Sequence, residues 1–167
     1  MSRIVPILSW LVTAWIANVF LTSLPYKFSK HPDTEHIFTT IGQWISAEIS
    51  LGLGNQFSLY GAYIIGAAEL ITAIILLLPA FWLLVNFMGL SSTTVKRARY
   101  HYFGGLMASV LMAGAVFFHL FTPLGIEVIH QGQSDGGALF YAATSILVLG
   151  MVIAWANYRL LPRSHFS

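Results

Sequence analysis

The chain contains four apolar runs of about 20 residues each, and these restrict its fold more than any other feature. A helix of that length crosses the roughly 30 Å hydrocarbon core of a bilayer, since it rises about 1.5 Å per residue. The composition agrees, because 57% of the residues are hydrophobic and only 8% are charged. We predict an all-α membrane protein that forms a four-transmembrane-helix bundle in a single domain over 1–167. The predicted spans are at about 4–24, 59–78, 102–121 and 137–158, with a kinked extension of the second span to 90.

The first run has an alternative interpretation as a cleaved signal peptide, because Arg3 precedes it. It is long, however, and contains Trp10 and Trp15. It ends at Leu24 and Pro25 without the small-residue pattern of a cleavage site. We therefore predict that this segment is a retained helix.

Basic residues predict the orientation of the spans, since short cytoplasmic loops carry an excess of lysine and arginine. The first and third loops hold only Lys27 and Lys30. The N-terminus, the second loop and the C-terminus hold Arg3, Lys96, Arg97, Arg99, Arg159 and Arg163. We predict a multi-pass protein of the bacterial inner (cytoplasmic) membrane with both termini cytoplasmic. The first and third loops then face outward.

The first loop is long enough to contain a helix of its own. Asp33 or Thr34 can cap a helix after Pro32, and Gly52 and Gly54 provide a stop. The helix predicted at about 34–49 is amphipathic, with a broad apolar face formed by Ile37, Phe38, Ile41, Trp44, Ile45 and Ile49. We expect it to lie on the outer membrane surface or over the mouth of the bundle. An ordinary surface helix is the alternative.

The chain contains no cysteine, which excludes disulfides, thiol relays, thiolate metal sites and covalent c-type haem attachment. A redox role would therefore use a bound cofactor or a quinone. The net charge is only +2, with basic residues scattered at span ends, so no nucleic-acid partner is predicted. No metal site is predicted either, because the outer histidines and carboxylates lack the short spacings of a metal site on one helix.

Glu69 is the most informative polar residue, because it lies about 15 Å into the second span, near the midplane. An intramembrane carboxylate is costly and needs a partner or a function. It can be protonated and hydrogen-bonded to Asn18 or Thr22, or paired with Lys27, whose long side chain can reach inward. A functional carboxylate in a proton or ligand pathway is equally consistent with the sequence.

His119 lies near the outer end of the third span, while Lys27, His36 and Asp135 lie at or above the outer rim. The His119 imidazole can be a hydrogen-bonded interfacial residue, a proton donor to a ligand carbonyl, or an axial haem ligand with His36 as its partner. Haem is the weaker expectation, because no two spans carry histidines at facing depths. Gly104 and Gly105 belong to a set of small residues that favours close helix packing.

Several short motifs make the chain resemble the DoxX-like family of small four-helix membrane proteins. They are Leu24-Pro25-Tyr26-Lys27-Phe28, Gly66-Ala67-Ala68-Glu69-Leu70, Phe117-Phe118-His119-Leu120 with Thr122-Pro123-Leu124-Gly125, and Asp135-Gly136-Gly137. The resemblance covers nearly the whole chain. It implies a link to respiratory-type oxidoreduction, as in a subunit of a thiosulfate:quinone oxidoreductase, or to membrane complexes for oxidative stress defence.

Three functions are compatible with these residues. The first is a quinone or lipid-like ligand site in the outer half of the bundle, part of a membrane oxidoreductase system, with Glu69 and His119 as catalytic residues. Its ligand-binding residues would be Lys27, His36, Asp135, Asn18, Trp44 and Phe118. The second is a non-catalytic accessory subunit or assembly factor of a larger membrane complex. The third is a small-solute channel or transporter, which would require a homo-oligomer.

Overall fold

A computed structural model describes residues 4–161 of the chain. Its elements in chain order are α1 Ile4–Phe28, α2 Pro32–Glu48, α3 Leu51–Phe87, α4 Arg97–Phe121, β1 Ile129–His130, β2 Gln133–Ser134 and α5 Ala138–Tyr158. Within this described part, four helices (α1, α3, α4 and α5) are long and apolar enough to cross a membrane. The all-helical fold and its four candidate spans are therefore confirmed.

Two prolines that directly follow the expected ends of spans, Pro25 and Pro79, lie inside helices. α1 continues through Pro25 to Phe28, and α3 continues through Pro79 to Phe87. Proline removes one backbone donor and leaves the carbonyl four residues earlier without its usual partner, but membrane helices tolerate this. The second span and its proposed extension are thus one helix, which also begins eight residues before the expected position 59.

α2 differs from the expectation at both of its ends. His31, not Asp33 or Thr34, is the N-cap of α2, and its Nδ1 accepts from the Asp33 backbone N–H at 3.4 Å. α2 ends at Glu48, and the two glycines that were expected to stop it fall within α3. One of them, Gly54, lies where α2 crosses α3, and a Cβ there would overlap the backbone carbonyl of Gly42. Its role is close packing.

The apolar face of α2 packs on protein. Phe38 is tilted against Phe57 of α3 at 5.6 Å between ring centroids. Ile41 and Ile45 form a small core with Leu124 and Val128 from the segment after α4, flanked by Ile37, Trp44, Phe57 and Phe118. Of the expected apolar face, only Ile49 is largely exposed, and it lies beyond the end of the helix. α2 is therefore held against α3 and the loop before α5.

The main core joins all four long helices at mid-length. Its buried members are Ile16, Phe20, Ala73, Leu76, Ala108, Met112, Ala143, Ile146 and Ile153. α4 and α5 approach especially closely, because a Cβ on Gly105 would lie 2.7 Å from the carbonyl oxygen of Gly150. Above and below this core the bundle has two distinct ends. We call the end where α1 begins and α5 ends the termini end, and the end that carries α2 and the β1–β2 hairpin the α2 end.

A buried polar network ties three helices together at the termini end. The Arg97 guanidinium donates to Asn157 Oδ1 at 3.0 Å and contacts His101 Nδ1 at 3.2 Å. Asn157 Nδ2 in turn donates to the Ser9 hydroxyl at 2.8 Å, and the His101 ring meets the edge of Trp10. Since arginine can only donate, His101 Nδ1 is an acceptor and the imidazole is neutral. This network is far from Glu69 and stabilises the opposite end of the bundle.

Candidate functional site

Glu69 is almost completely buried in the bundle, at 4% exposure, and it is paired with Lys27. Glu69 Oε2 accepts from Lys27 Nζ at 2.7 Å and from the Ser23 hydroxyl at 2.9 Å. Lys27 Nζ also donates to Ser23 Oγ at 2.8 Å. Ser23 and Lys27 are four residues apart on α1, so they share a helix face directed at Glu69. The three side chains form a closed triangle between α1 and α3.

A glycine of α3 lies beside the Lys27 side chain. Gly66 lies about one helical turn before Glu69 on α3, and a Cβ there would sit 3.4 Å from Lys27 Cβ and Cδ. The lysine stem therefore passes close to the backbone of α3 at this position. Gly66 thus lies where α1 packs on α3 beside the site.

A cavity of about 730 Å³, which we call the polar cavity, adjoins this triangle at the α2 end. All five helices and the loop before α5 contribute to its wall. Most of the wall is apolar, with Phe38 of α2 and Phe118 of α4 among its aromatic members. Its polar side chains include Ser23, Lys27, Glu69 and His119. A small set of polar groups in an apolar cavity is typical of sites for small molecules and cofactors.

His119 of α4 presents one nitrogen without a protein partner. Its Nδ1 is 2.7 Å from the carbonyl oxygen of Gly125, which can only accept, so Nδ1 carries the hydrogen. Nε2 has no hydrogen-bond partner within residues 4–161, and the residue lines the polar cavity. In the neutral ring, Nε2 is therefore an acceptor. The loop at Gly125 determines this tautomer, which the sequence did not reveal.

The Glu69–Lys27 pair also retains unused hydrogen-bonding capacity. Glu69 Oε2 receives both bonds described above, and Oε1 receives none from the described residues. Lys27 Nζ uses two of its three N–H groups. The polar cavity therefore offers one carboxylate oxygen and one imidazole nitrogen as acceptors, together with one ammonium hydrogen as a donor.

Asp135 lines the polar cavity, but the backbone occupies its carboxylate. Its Oδ1 accepts from the N–H groups of Val128 and Gly137, and its Oδ2 accepts from that of Leu139. Partial burial alone would raise the pKa of this carboxyl, but the three backbone donors outweigh it, so the pKa lies below its ordinary value. Asp135 shapes the loop and the start of α5.

A third acidic residue in the cavity wall, Asp33, joins α2 to the β1–β2 hairpin. Asp33 Oδ1 accepts from His130 Nδ1 at 2.7 Å, and this bond lowers the pKa of Asp33. The His36 ring stacks on His130 with the centroids 4.7 Å apart. Asp33 and His130 line the polar cavity, whereas His36 does not. The structure therefore does not bring His36 and His119 together in one cavity, as a bis-histidine haem would need.

The structure brings only some of the expected site residues together. Glu69, His119, Lys27, Asp135 and Phe118 line the polar cavity. Asn18 is exposed on α1 and lies outside the cavity wall. Trp44 also lies outside it, packed in the small α2 core and edge-on to Phe117.

Thr22, the other partner considered for Glu69, donates instead to the Asn18 backbone carbonyl at 2.7 Å. The residue that sequence reasoning missed is Ser23. Its spacing of four from Lys27 was the available signal, because that spacing puts both side chains on one helix face. Within residues 4–161, no three His, Asp or Glu side chains are grouped so as to hold a metal ion.

Comparison of the chain with protein-family models, with curated proteins and with solved structures finds no match. The DoxX-like resemblance therefore depends on its motifs alone and stays a prediction.

Proposed function

We propose that this protein binds a quinone or a similar lipid-like molecule in the polar cavity and acts as part of a membrane oxidoreductase system. One observation supports the proposal above all others. A buried ion pair and a histidine with a free acceptor nitrogen line the same largely apolar cavity. Buried charges are expensive, and intramembrane carboxylates are characteristic of ligand and proton pathways.

The free groups of the polar cavity match the two forms of a quinone. A quinol carries two hydroxyl donors, and His119 Nε2 and Glu69 Oε1 are the acceptors available to them. A quinone carries two carbonyl acceptors, and the remaining Lys27 N–H can bind one of them. Apolar side chains such as Phe38 and Phe118 surround the ring in this arrangement.

Oxidation of the quinol breaks its two O–H bonds and releases two protons and two electrons. Glu69 and His119 take the protons, and the polar residues Asp33 and His130 in the cavity wall connect them to the α2 end. The two electrons pass to an oxidised redox subunit of a larger membrane complex. Reduction runs the same transfers in reverse, from a reduced subunit of that kind.

The orientation of the bundle forms part of this proposal. The basic termini and the α3–α4 connection would lie in the cytoplasm of a bacterial cell, and α2 would cover the cavity at the outer surface of the inner membrane. The DoxX-like motifs at Lys27, Glu69 and His119 coincide with three residues of the cavity wall. This coincidence supports a shared role for those motifs.

Mass spectrometry of small molecules extracted from the purified protein tests the proposal, together with titration of decylubiquinone into nanodisc-embedded protein. We expect a bound quinone, and an affinity about tenfold or more lower in Glu69→Gln and in His119→Phe, since a hydrogen bond to a charged or buried group is lost. Glu48→Gln, an exposed carboxylate outside the cavity wall, is the matched control. The proposal fails if no quinone co-purifies and Glu69→Gln binds decylubiquinone as the wild type does.

A second candidate function is that of a non-catalytic accessory subunit or assembly factor. The observation in its favour is the closed triangle of Ser23, Lys27 and Glu69, in which each side chain already contacts the other two. Such a cluster can serve stability alone. Co-purification of a stoichiometric membrane partner, with quinone binding absent from wild-type protein, would favour this function over the first.

A further inference from the structure

The wall of the polar cavity has exposed members on two neighbouring helices. Thr22 and Tyr26 of α1 line the cavity, and so do Ala138 and Leu139 of α5. All four are exposed, with Tyr26 at 54% and Leu139 at 46%. A residue that both lines a cavity and meets the surroundings lies at an opening. These four residues define an opening that we call the side opening.

α1 and α5 are joined at mid-length and at the termini end, below this opening. The indole N–H of Trp15 donates to the Ser145 hydroxyl at 3.0 Å, and Asn157 reaches Ser9 further down. Across residues 4–161, no hydrogen bond or ring contact links 22–28 of α1 to 138–142 of α5. The two helices are thus tied below the cavity and are not tied beside it.

The side opening lies along the flanks of two candidate spans. Thr22 is six residues before the end of α1, about 9 Å along the helix axis. Ala142, which also lines the cavity, is four residues into α5, about 6 Å along it. Tyr26, Ala138 and Leu139 lie within two residues of the helix ends, so the opening extends from the ends of α1 and α5 along the flanks of two candidate spans, where a bilayer would surround it.

The end of the polar cavity that α2 covers, which we call its top, differs in chemistry from the side opening. α2 lies over it with Ile37, Phe38 and Ile41 in the wall, and the exposed residues there are the polar Asp33, Gln133 and Ser134. A long apolar chain leaving by this route would have to cross polar groups into water, at a cost for each methylene group. The side opening is the favourable route for such a chain.

We propose that the ligand of the polar cavity is a tailed amphiphile that enters from the membrane through the side opening. Its polar head lies at Lys27, Glu69 and His119, and its apolar tail leaves between α1 and α5 into the bilayer. This inference rests on the proposed function for the head group and adds the tail and the route. The cavity volume of about 730 Å³ suffices for the head, because pockets of about 300–1,000 Å³ bury most of a drug-sized ligand.

Binding of two probes to protein in nanodiscs tests the route. Decylubiquinone carries an apolar tail, and a ubiquinone analogue without the tail has the same head group. Ala138→Trp should obstruct the side opening, and Ser134→Trp is the matched substitution at the top. We expect Ala138→Trp to weaken decylubiquinone binding by about tenfold or more while the tail-less analogue binds as before, and Ser134→Trp to leave decylubiquinone binding unchanged.

The opposite pattern, with decylubiquinone blocked by Ser134→Trp and unaffected by Ala138→Trp, would overturn the side route. Wild-type protein that binds neither probe would refute the quinone assignment instead. The position of the opening can then still be decided by spin labels at Leu139→Cys and Ser134→Cys, which are unique because the chain has no cysteine. We expect the Leu139 label to meet membrane-dissolved oxygen and the Ser134 label to meet a water-soluble nickel complex. A Leu139 label exposed to nickel would overturn the inference.

Discussion

Removing one member of the Lys27–Glu69 pair should destabilise the protein much more than removing both. At 2.7 Å, the Coulomb attraction is about 6 kcal/mol for an effective dielectric constant of about 20. Transfer of the two charges out of water costs several kcal/mol per ion, which offsets most of that attraction. The intact pair therefore contributes little net stability. Each charge nevertheless depends on the other for compensation.

Lys27→Met leaves the Glu69 carboxylate buried, with Ser23 as its one remaining contact of the triangle. We expect a loss of about 3–5 kcal/mol in the free energy of unfolding at neutral pH, the usual range when a buried charge loses its partner. Glu69→Gln should cost less, about 1–3 kcal/mol, because the amide oxygen can still accept from Lys27 and Ser23.

The double variant Lys27→Met/Glu69→Met should be close to wild type, or more stable by about 1–4 kcal/mol, because apolar side chains of similar volume replace both charges. With Glu69→Met as the second single variant, unfolding in mixed micelles, followed by circular dichroism, gives the four free energies of a double-mutant cycle. Lys96→Met is the control for loss of an exposed lysine at the other end of the bundle.

Two results would refute this reasoning. The first is a coupling energy below about 0.5 kcal/mol, the level at which distant sites simply add. The second is a double variant that is as unstable as Lys27→Met.

The double variant also separates the proposed functions. If it is stable but no longer binds decylubiquinone, the Lys27–Glu69 pair is needed for ligand binding. Unchanged binding would assign it to structure.

Three further predictions concern other parts of the bundle. Gly105→Ala should lower the free energy of unfolding by about 1–3 kcal/mol, because its Cβ would come within 2.7 Å of an α5 carbonyl oxygen. Gly114→Ala, with nothing within 4 Å of its Cβ, should be neutral or slightly stabilising, so equal losses would contradict the packing argument. Asn157→Ala should cost about 1–3 kcal/mol in thermal or chemical unfolding, because it leaves buried polar partners on α1 and α4 unpaired. Asn55→Ala, at an exposed position of α3, is its control and should change nothing. Asp135 has a pKa below its ordinary value of 3.8, so its stabilising effect is present above that pH and is lost as pH falls through the folded-state pKa. Asp135→Asn should therefore reduce the acid sensitivity of unfolding measured on either side of pH 3.8, and an unchanged pH profile would argue against its role in the loop.

Counting along a helix predicted Glu69 near mid-membrane and His119 close to the end of its span. The structure puts both residues in the wall of one cavity. The sequence could not distinguish among Asn18, Thr22 and Lys27 as the partner of Glu69. All three had been placed on the same side of the membrane. The choice depends on which face of α1 turns toward α3, and in the structure that face carries Ser23 and Lys27.

Helix ends were predicted less well than helix existence. Pro25, Pro79 and the glycines after α2 carried the usual signals of termination, yet α1 and α3 continue through them. Local signals of this kind compete with tertiary packing, and the close crossing of α2 over α3 at Gly54 shows which effect wins there. The Asp33–His130 bond was also beyond the sequence, because its partners are 97 positions apart.

By itself, the sequence determined that this chain forms apolar helices of spanning length, and that Glu69 would need compensation within them. Both follow from quantities that add along the chain, namely the rise per residue and the transfer cost of each side chain. Only the tertiary structure decided that Lys27 and Ser23 supply the compensation, that α2 covers a cavity, and that His119 Nε2 has no hydrogen-bond partner among residues 4–161. Those outcomes depend on the rotation of each helix about its axis, which is set jointly by all the helices that pack around it.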